Sequence, residues 1–464
     1  MKQIKKLVMA LVMVVMFGSL VACVGDSSEN AETQASESAT AEGQEATMEE
    51  EAETTSMEEG EAATLVMYIA NDATSEEIAV LRDIITKFEE KNVGATIDLI
   101  STGDPTGLAT QQIAAGGGPD VLEIDATNAQ LYASAGYIYE LDEYAKQYGW
   151  YDLFDQWVLD LATRDGKMIA VPIDTDGLIV YYNKTMFEEN GWSIPTTYQE
   201  YIDLCDSIKA ADVVPIAFGN ADFEAANQWW LSMGYTVSLG QEKYHDLLQG
   251  RLAWESDEVR TATEQLVSMW ENGYIYEHSA SITTEDARNM FINGQAAMMM
   301  AGQWEAAEII NGEPTFDWSA YKMPSWNSEI EDGALPVALG GVYVINKQSE
   351  YPDLVAEFLN ELYSDEYIET KVAQGRIYPT TNGDPNNVEG LDRQFVEIFD
   401  IILNEMEEDN IGYCTWTYWP VSTDTYAWDN LSALYLKQLT IDEYLRNLQE
   451  KFDEDVENGN VLEF

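Results

Sequence analysis

Basic residues are scarce in this 464-residue chain: 23 Lys and Arg stand against 84 Asp and Glu, for a formal net charge of −61. A surface of that sign repels nucleic acid and anionic lipid and disfavours a strongly anionic ligand. Solubility alone accounts for the charge, so it says little about which neutral ligand binds. Histidine is scarcer still. His245 and His278 are the only two; their spacing fits no zinc pattern, and no nucleophile elbow accompanies them for a Ser-His-Asp hydrolase. Cysteine occurs three times, at Cys23, Cys205 and Cys414, which excludes a disulfide framework. Spacing does not decide whether Cys205 and Cys414 pair, and two buried thiols are expected. No metal or other cofactor is implied by these counts.

One apolar run opens the chain. Leu7 to Leu20 follows a head carrying Lys2, Lys5 and Lys6 and ends in Leu20-Val21-Ala22-Cys23. It is shorter than the about 20 residues a membrane span needs, and its basic head and small-residue end describe a secretory signal peptide over residues 1–22. The Leu-x-Ala-Cys ending resembles the lipobox of bacterial lipoproteins. That resemblance implies a diacylglycerol on Cys23 and an anchor on the extracellular face of the cell membrane, each buried CH₂ adding about 0.8 kcal/mol. From Val24 to Ala63 there is no aromatic residue, proline, Lys or Arg, but Asp26 and twelve Glu. Such a segment buries too little apolar surface to offset its ordering entropy, so residues 23–63 read as a lipidated Cys and a disordered acidic tether. Forty flexible residues reach roughly 35 Å, and like charges extend them further.

Loss of the three signal lysines takes the charge from −61 to −64, and the tether holds −13 of that, leaving −51 on the body. Its ~400 residues are too many for one ordinary core and predict two domains. The body begins with a buried strand, Leu65–Ala70. A Thr74/Glu77 capping box follows, with Ile78, Leu81, Ile84, Ile85 and Phe88 at helical spacing. Ala95–Ile100 is a strand, Leu108 and Ile113 mark a helix, and Val121–Ile124 is a strand again. This βαβαβ order predicts an α/β fold with a parallel sheet. Capping boxes at Thr197/Glu200 and Thr440/Glu443 predict later helices, the last carrying Ile441, Tyr444, Leu445, Leu448 and Phe452 on one stripe. Met298-Met299-Met300 reads as a buried strand. No internal repeat is visible.

Several ordered blocks carry a wider resemblance. They are Gly118-Pro119-Asp120-Val121; Ala170-Val171-Pro172 leading to Leu178-Ile179-Val180-Tyr181-Tyr182-Asn183-Lys184; Phe187-Glu188-Glu189-Asn190-Gly191; Ile194-Pro195-Thr196-Thr197-Tyr198; and Pro215-Ile216-Ala217-Phe218-Gly219. Asn293-Gly294-Gln295-Ala296-Ala297-Met298, Gly302-Gln303-Trp304 and Gly340-Gly341-Val342 complete the set. From about Leu65 to Trp428 the chain resembles the extracellular solute-binding proteins of ABC-type sugar importers, the maltose-binding-protein-like family 1. The resemblance implies a two-lobed type II periplasmic-binding-protein-like fold with hinge strands and a ligand cleft between the lobes. The lobes would be 64–174 plus 321–385 and 175–320 plus 386–464, crossing near Asp174, Tyr321 and Asn386. It further implies a non-enzymatic, monomeric sugar-binding subunit that delivers to the transmembrane subunits of an ABC permease.

A sugar offers hydroxyls around its edge and C–H faces above and below, so its site needs carboxylates, amides or Arg in plane and aromatic rings on the faces. Thirteen Trp are available. Block position singles out Trp304 first, then Trp229 or Trp230 after Asn227-Gln228, and Trp428. For polar groups, Asp125 follows the strand Val121–Ile124, Asp176 lies in Pro172-Ile173-Asp174-Thr175-Asp176-Gly177, and Asn71 and Asp72 end the first strand. Arg376 either reaches the cleft or pairs with one of the many acids. Gly116-Gly117-Gly118 is no phosphate loop, lacking the Gly-Lys-Ser/Thr ending, and Asp174-x-Asp176 has no His or Cys company for a metal. A cationic peptide or polyamine ligand, a glycosidase carboxylate pair, and a non-transport receptor or adhesin stand as alternatives.

Overall fold

A computed structural model describes residues 63–464 apart from 71–74, 103–104, 223–225, 382, 386–387 and 463. Cys23, the tether up to residue 62, Asn71, Asp72, Thr74 of the first capping box and Asn386 lie outside the described residues.

The strands follow the buried runs of the sequence. They are β1 (Ala63–Ala70), β2 (Ala95–Thr102), β3 (Val121–Ile124), a short hairpin of β4 (Thr163–Arg164) and β5 (Lys167–Met168), β6 (Val171–Pro172) and β7 (Thr175–Asn183). Then come β8 (Val214–Ala217), β9 (Ala296–Gly302), β10 (Trp318–Tyr321), β11 (Leu335–Leu339), β12 (Val342–Ile345) and β13 (Ile411–Tyr413). Ala63, the last residue read as tether, already pairs with Ala95 in β1. β9, with its methionine run, is buried at every position, as a strand covered on both faces must be. The Thr440/Glu443 box forms in full, and Tyr444, Leu445, Leu448 and Phe452 bury one face of the helix Ile441–Glu457. At Thr197 only half the box forms: its hydroxyl accepts from Glu200 N–H, while the Glu200 carboxylate turns to Thr196 instead, at 2.8 Å from both its N and Oγ1.

Two sheets organise the body. The first runs β2-β1-β3-β12-β6, and the second runs β13-β11-β7-β9-β8 with β10 also on β7. The chain passes between them three times: across Ile173–Asp174, from β6 to β7; across Gly340–Gly341, from β11 to β12; and once more on the long stretch from β12 to β13. The second crossing corrects the expected one near Tyr321. Tyr321 ends β10, which pairs with Val180 of β7, and β11 then pairs with β7 as well, so the chain leaves the second sheet only at the glycine pair. The first two crossing segments run side by side: Gly340 N–H donates to Asp174 O at 2.8 Å and Ile173 N–H to Gly341 O at 2.9 Å. A Cβ on Gly340 would overlap the Asp174 carboxylate, so only glycine fits that crossing.

Strand register decides where a cleft can lie. Val342, at the start of β12, pairs with both Pro172 and Ile124, so both crossings leave the first sheet at the edge where β3 ends. In the second sheet Thr175 pairs with Leu339 and Leu178 with Gly302, so they enter where β9 and β11 end. Parallel pairing of β1 and β2 to that first group, and of β8 and β13 to the second, brings their C-terminal ends to the same two edges. Short crossings therefore set the carboxyl edges of the two sheets against each other, the place where open α/β sheets bind ligands. Cys205 and Cys414 are buried free thiols, and burial pushes both well above the usual thiol range.

Candidate ligand site at the facing strand ends

The end of β9 builds an aromatic wall. Gly302 closes the strand, and its carbonyl is held by the Tyr181 hydroxyl at 2.8 Å. Two residues later the half-buried Trp304 folds back so that its six-membered ring covers the bare Cα of Gly302. Trp229, near the start of the helix Asn227–Leu248, meets Trp304 edge-on with ring centroids 5.7 Å apart, and Trp416, in the helix Thr415–Tyr418 after β13, does so at 6.4 Å. Three half-buried indoles thus share one edge of the second sheet. Trp230 is corrected from the expectation: it is 0% exposed, edge-on to Phe218 and Trp270, because its neighbour in the first helical turn takes the cleft side. It is core. Trp428 packs half-buried against the core, and its carbonyl accepts from Asn227 Nδ2 at 2.9 Å, tying the helix Val421–Tyr435 to the helix that carries Trp229.

Gln303 fixes the first carboxylate. Its Oε1 accepts from Gly177 N–H at 2.9 Å, and its Nε2 donates to Thr175 O and to Asp176 Oδ1, both at 3.0 Å. The amide is buried and fully used, so it clamps the end of β9 to the start of β7 and orients buried Asp176. Asp125 precedes the helix Ala126–Ser134 with no side-chain cap bond to it; Asn128 Nδ2 lies 3.3 Å from its Oδ2. Arg376 is engaged at the crossing, with Nη1 3.3 Å from Asp174 Oδ2.

A third carboxylate escaped the sequence reading. Asp424, in the first turn of the helix Val421–Tyr435, is buried and accepts from Gln228 Nε2 at 2.6 Å. Burial pushes its carboxyl up to about 7, and the negative charge of Asp125 pushes the same way, against the hydroxyl of Thr415 and the amide of Gln228. That coupling joins a residue after β3 of the first sheet to one beyond β13 of the second. The helices bearing Asp125 and following β13, Ala126–Ser134 and Thr415–Tyr418, also pack on each other. Trp416 was missed in its aromatic run Thr415-Trp416-Thr417-Tyr418-Trp419. Asp424 had a usable signal, since it stands four residues before Trp428 and so on the same helix face.

Among the described residues no group of three or more His, Cys, Asp or Glu side chains is placed to hold a metal ion, and no helix is long and apolar enough to cross a membrane. An open concavity of about 370 Å³ lined by Tyr148, Asp152, Asn360 and Thr381 shares no residue with this wall.

The chain belongs to the bacterial extracellular solute-binding proteins, whose family description matches residues 72–369, well over half of its length. The multiple sugar-binding protein of Streptococcus mutans is 25% identical over 268 residues, 53% of this chain and 59% of that one. The diacetylchitobiose-binding protein of Streptomyces coelicolor is 25% identical over 283 residues, 59% of this chain and 63% of its own length. The chain thus spans less than two thirds of these curated relatives. Among solved structures, a chitin oligosaccharide binding protein superposes with TM-score 0.76 at 20% identity, over 85% of this chain and 99% of that one. The maltose-bound T. maritima MalE3 does so with TM-score 0.70 at 18% identity, over 85% and 100%. The fold they share is the two-lobed, type II periplasmic-binding-protein-like α/β architecture.

Proposed function

We propose that this member of the bacterial extracellular solute-binding proteins captures a neutral sugar or oligosaccharide between its two sheets. It would hand the ligand to the transmembrane subunits of an ABC permease, acting as a monomeric binder and not as an enzyme. The observation that carries the reading is the meeting, at the carboxyl edges, of three half-buried indoles with buried carboxylates. Rings cover the C–H faces of a sugar, and carboxylates accept its hydroxyls in plane. Relatives named for sugars support the sugar over a polyamine or cationic peptide. We assign Trp304, Trp229 and Trp416 to the faces, Asp176 and Asp125 to the hydroxyls, and Trp428 to the rim; Asn71 and Asp72 stay candidates from their place after β1. Arg376 belongs to the crossing through Asp174.

The same reading makes Cys23 a lipid-bearing residue that holds the chain on the outer face of the cell membrane. A ligand touching both lobes binds the closed state better and so shifts the population toward it. Hinge closure is general among periplasmic binding proteins. Melting scans with diacetylchitobiose, maltose, raffinose and xylotriose should show a rise with at least one of them, and X-ray scattering should then give a smaller radius of gyration. No rise with any of these sugars, or a rise with spermidine instead, would overturn the sugar assignment.

A further inference from the structure

Trp304 is presented by a turn whose next residue is held in an ion pair. Glu305 opens the helix Glu305–Asn311, and only 7% of its side chain is exposed. Arg288, on the helix Thr284–Ile292, meets it with two bonds: Nε donates to Oε2 at 2.5 Å and Nη2 to Oε1 at 3.2 Å. Nη1 of the same guanidinium lies 3.6 Å from Glu308 Oε2. The helix carrying Arg288 begins with a complete Thr283/Asp286 capping box and packs on β9, the strand that ends in Gly302. The Tyr181 hydroxyl that holds Gly302 O feels the same carboxylate. Burial first, and the Glu305 charge after it, push that phenol well above its usual range, so it stays a donor.

A buried ion pair contributes little net stability to a helix end. Desolvation of the two charges offsets most of their attraction, and well-packed apolar residues in their place are often as stabilising. What the planar guanidinium adds is direction, because two parallel bonds fix a carboxylate in angle as well as in distance. Direction is what the indole needs. Its ring rests on Gly302, but its two indole neighbours meet it only edge-on, with centroids 5.7 and 6.4 Å away, so the backbone turn beneath it must set its tilt. We infer that Arg288, acting through Glu305, is a positioning residue that aims the Trp304 indole into the ligand site. This inference rests on the sugar-binding reading, because the C–H face of a sugar is what requires a fixed plane. Arg288 acts through its neighbour and not on the ligand.

The test uses the full chain labelled with 5-fluorotryptophan: unsubstituted, with the apolar pair Arg288→Met and Glu305→Leu, and with Arg288→Lys alone. Trp304→Ala identifies the Trp304 fluorine signal by its disappearance. Without ligand, the apolar pair should melt within about 4 °C of the unsubstituted chain or above it, while its Trp304 signal shifts, broadens or splits. Calorimetry against diacetylchitobiose, maltose and raffinose should show about tenfold weaker binding of whichever sugar the unsubstituted chain takes. Arg288→Lys keeps the charge but not the fork, so it should be intermediate in both readouts; should the apolar pair fail to fold, this variant decides on the same readouts. In a Trp304→Ala background the substitutions should add less than about a twofold loss. An unchanged fluorine signal, an unchanged affinity, or an affinity loss that persists without the indole each overturns the positioning role while the sugar reading stands. If none of the three sugars binds the unsubstituted chain, the sugar reading falls, and the fluorine signal still decides whether Arg288 aims the ring.

Discussion

The indole of Trp304 occupies the space that a side chain on Gly302 would need: a Cβ built there would overlap ring carbons Cζ3, Cη2 and Cε3. The smallest residue in the Gly-Gln-Trp block is thus the seat of the largest. Gln303 between them pins Asp176 through its amide, so the three consecutive residues set one plane and one carboxylate.

Gly302→Ala should displace the ring and weaken sugar binding by at least about tenfold, although the substitution touches no ligand. Trp304→Ala should cost about 1–4 kcal/mol of affinity, as for a buried aromatic anchor, with little change in stability because the ring is half-exposed. The two substitutions act on one plane, so their effects should fall well short of additive. Calorimetry on the two single variants and the double variant checks this; full additivity would separate Gly302 from the ring.

Acid–base linkage at Asp424 has a definite sign. Its folded carboxyl sits at about 7, against an ordinary unfolded value near 3.9. Between those values the folded state binds the extra proton, so this group favours folding most below about pH 4 and loses that contribution as pH rises to 7. Asp424→Asn removes the dependence. The variant should gain on the order of a few kcal/mol relative to the native chain at pH 8 and little at pH 4. Denaturant titrations at both pH values decide it, and an equal difference at the two would refute the assignment.

The anchor reading stands on Cys23. Cys23→Ser removes the thiol that takes the diacylglycerol, so the protein should be found in the medium or as an uncleaved precursor. Metabolic labelling with a fatty acid should mark the native chain and not the variant. A Cys23→Ser chain that remains labelled and membrane-bound at mature size would refute it.

Much of the first sheet and the start of the last helix were legible because their signals are local. The βαβαβ order, the strand Val121–Ile124 and the Thr440/Glu443 cap depend on neighbours within a few residues, where periodicity and capping chemistry act. The choice between Trp229 and Trp230 was not legible, because both stand in the first helical turn and only the packing of Phe218 and Trp270 buries the second. Nor was the crossing at Gly340–Gly341. Trp318–Tyr321 and Leu335–Leu339 are ordinary strands until each is seen to pair with β7.

Local chemistry along the chain therefore determined the α/β class, the acidic surface, the absence of a disulfide framework and the block order that places the chain in its family. Tertiary structure alone decided which indoles share a wall, that Gln303 holds Asp176, and that Asp424 is coupled to Asp125. Those pairs lie tens to hundreds of residues apart. Their meeting is set by strand register and by two short crossings, quantities that no window of sequence contains.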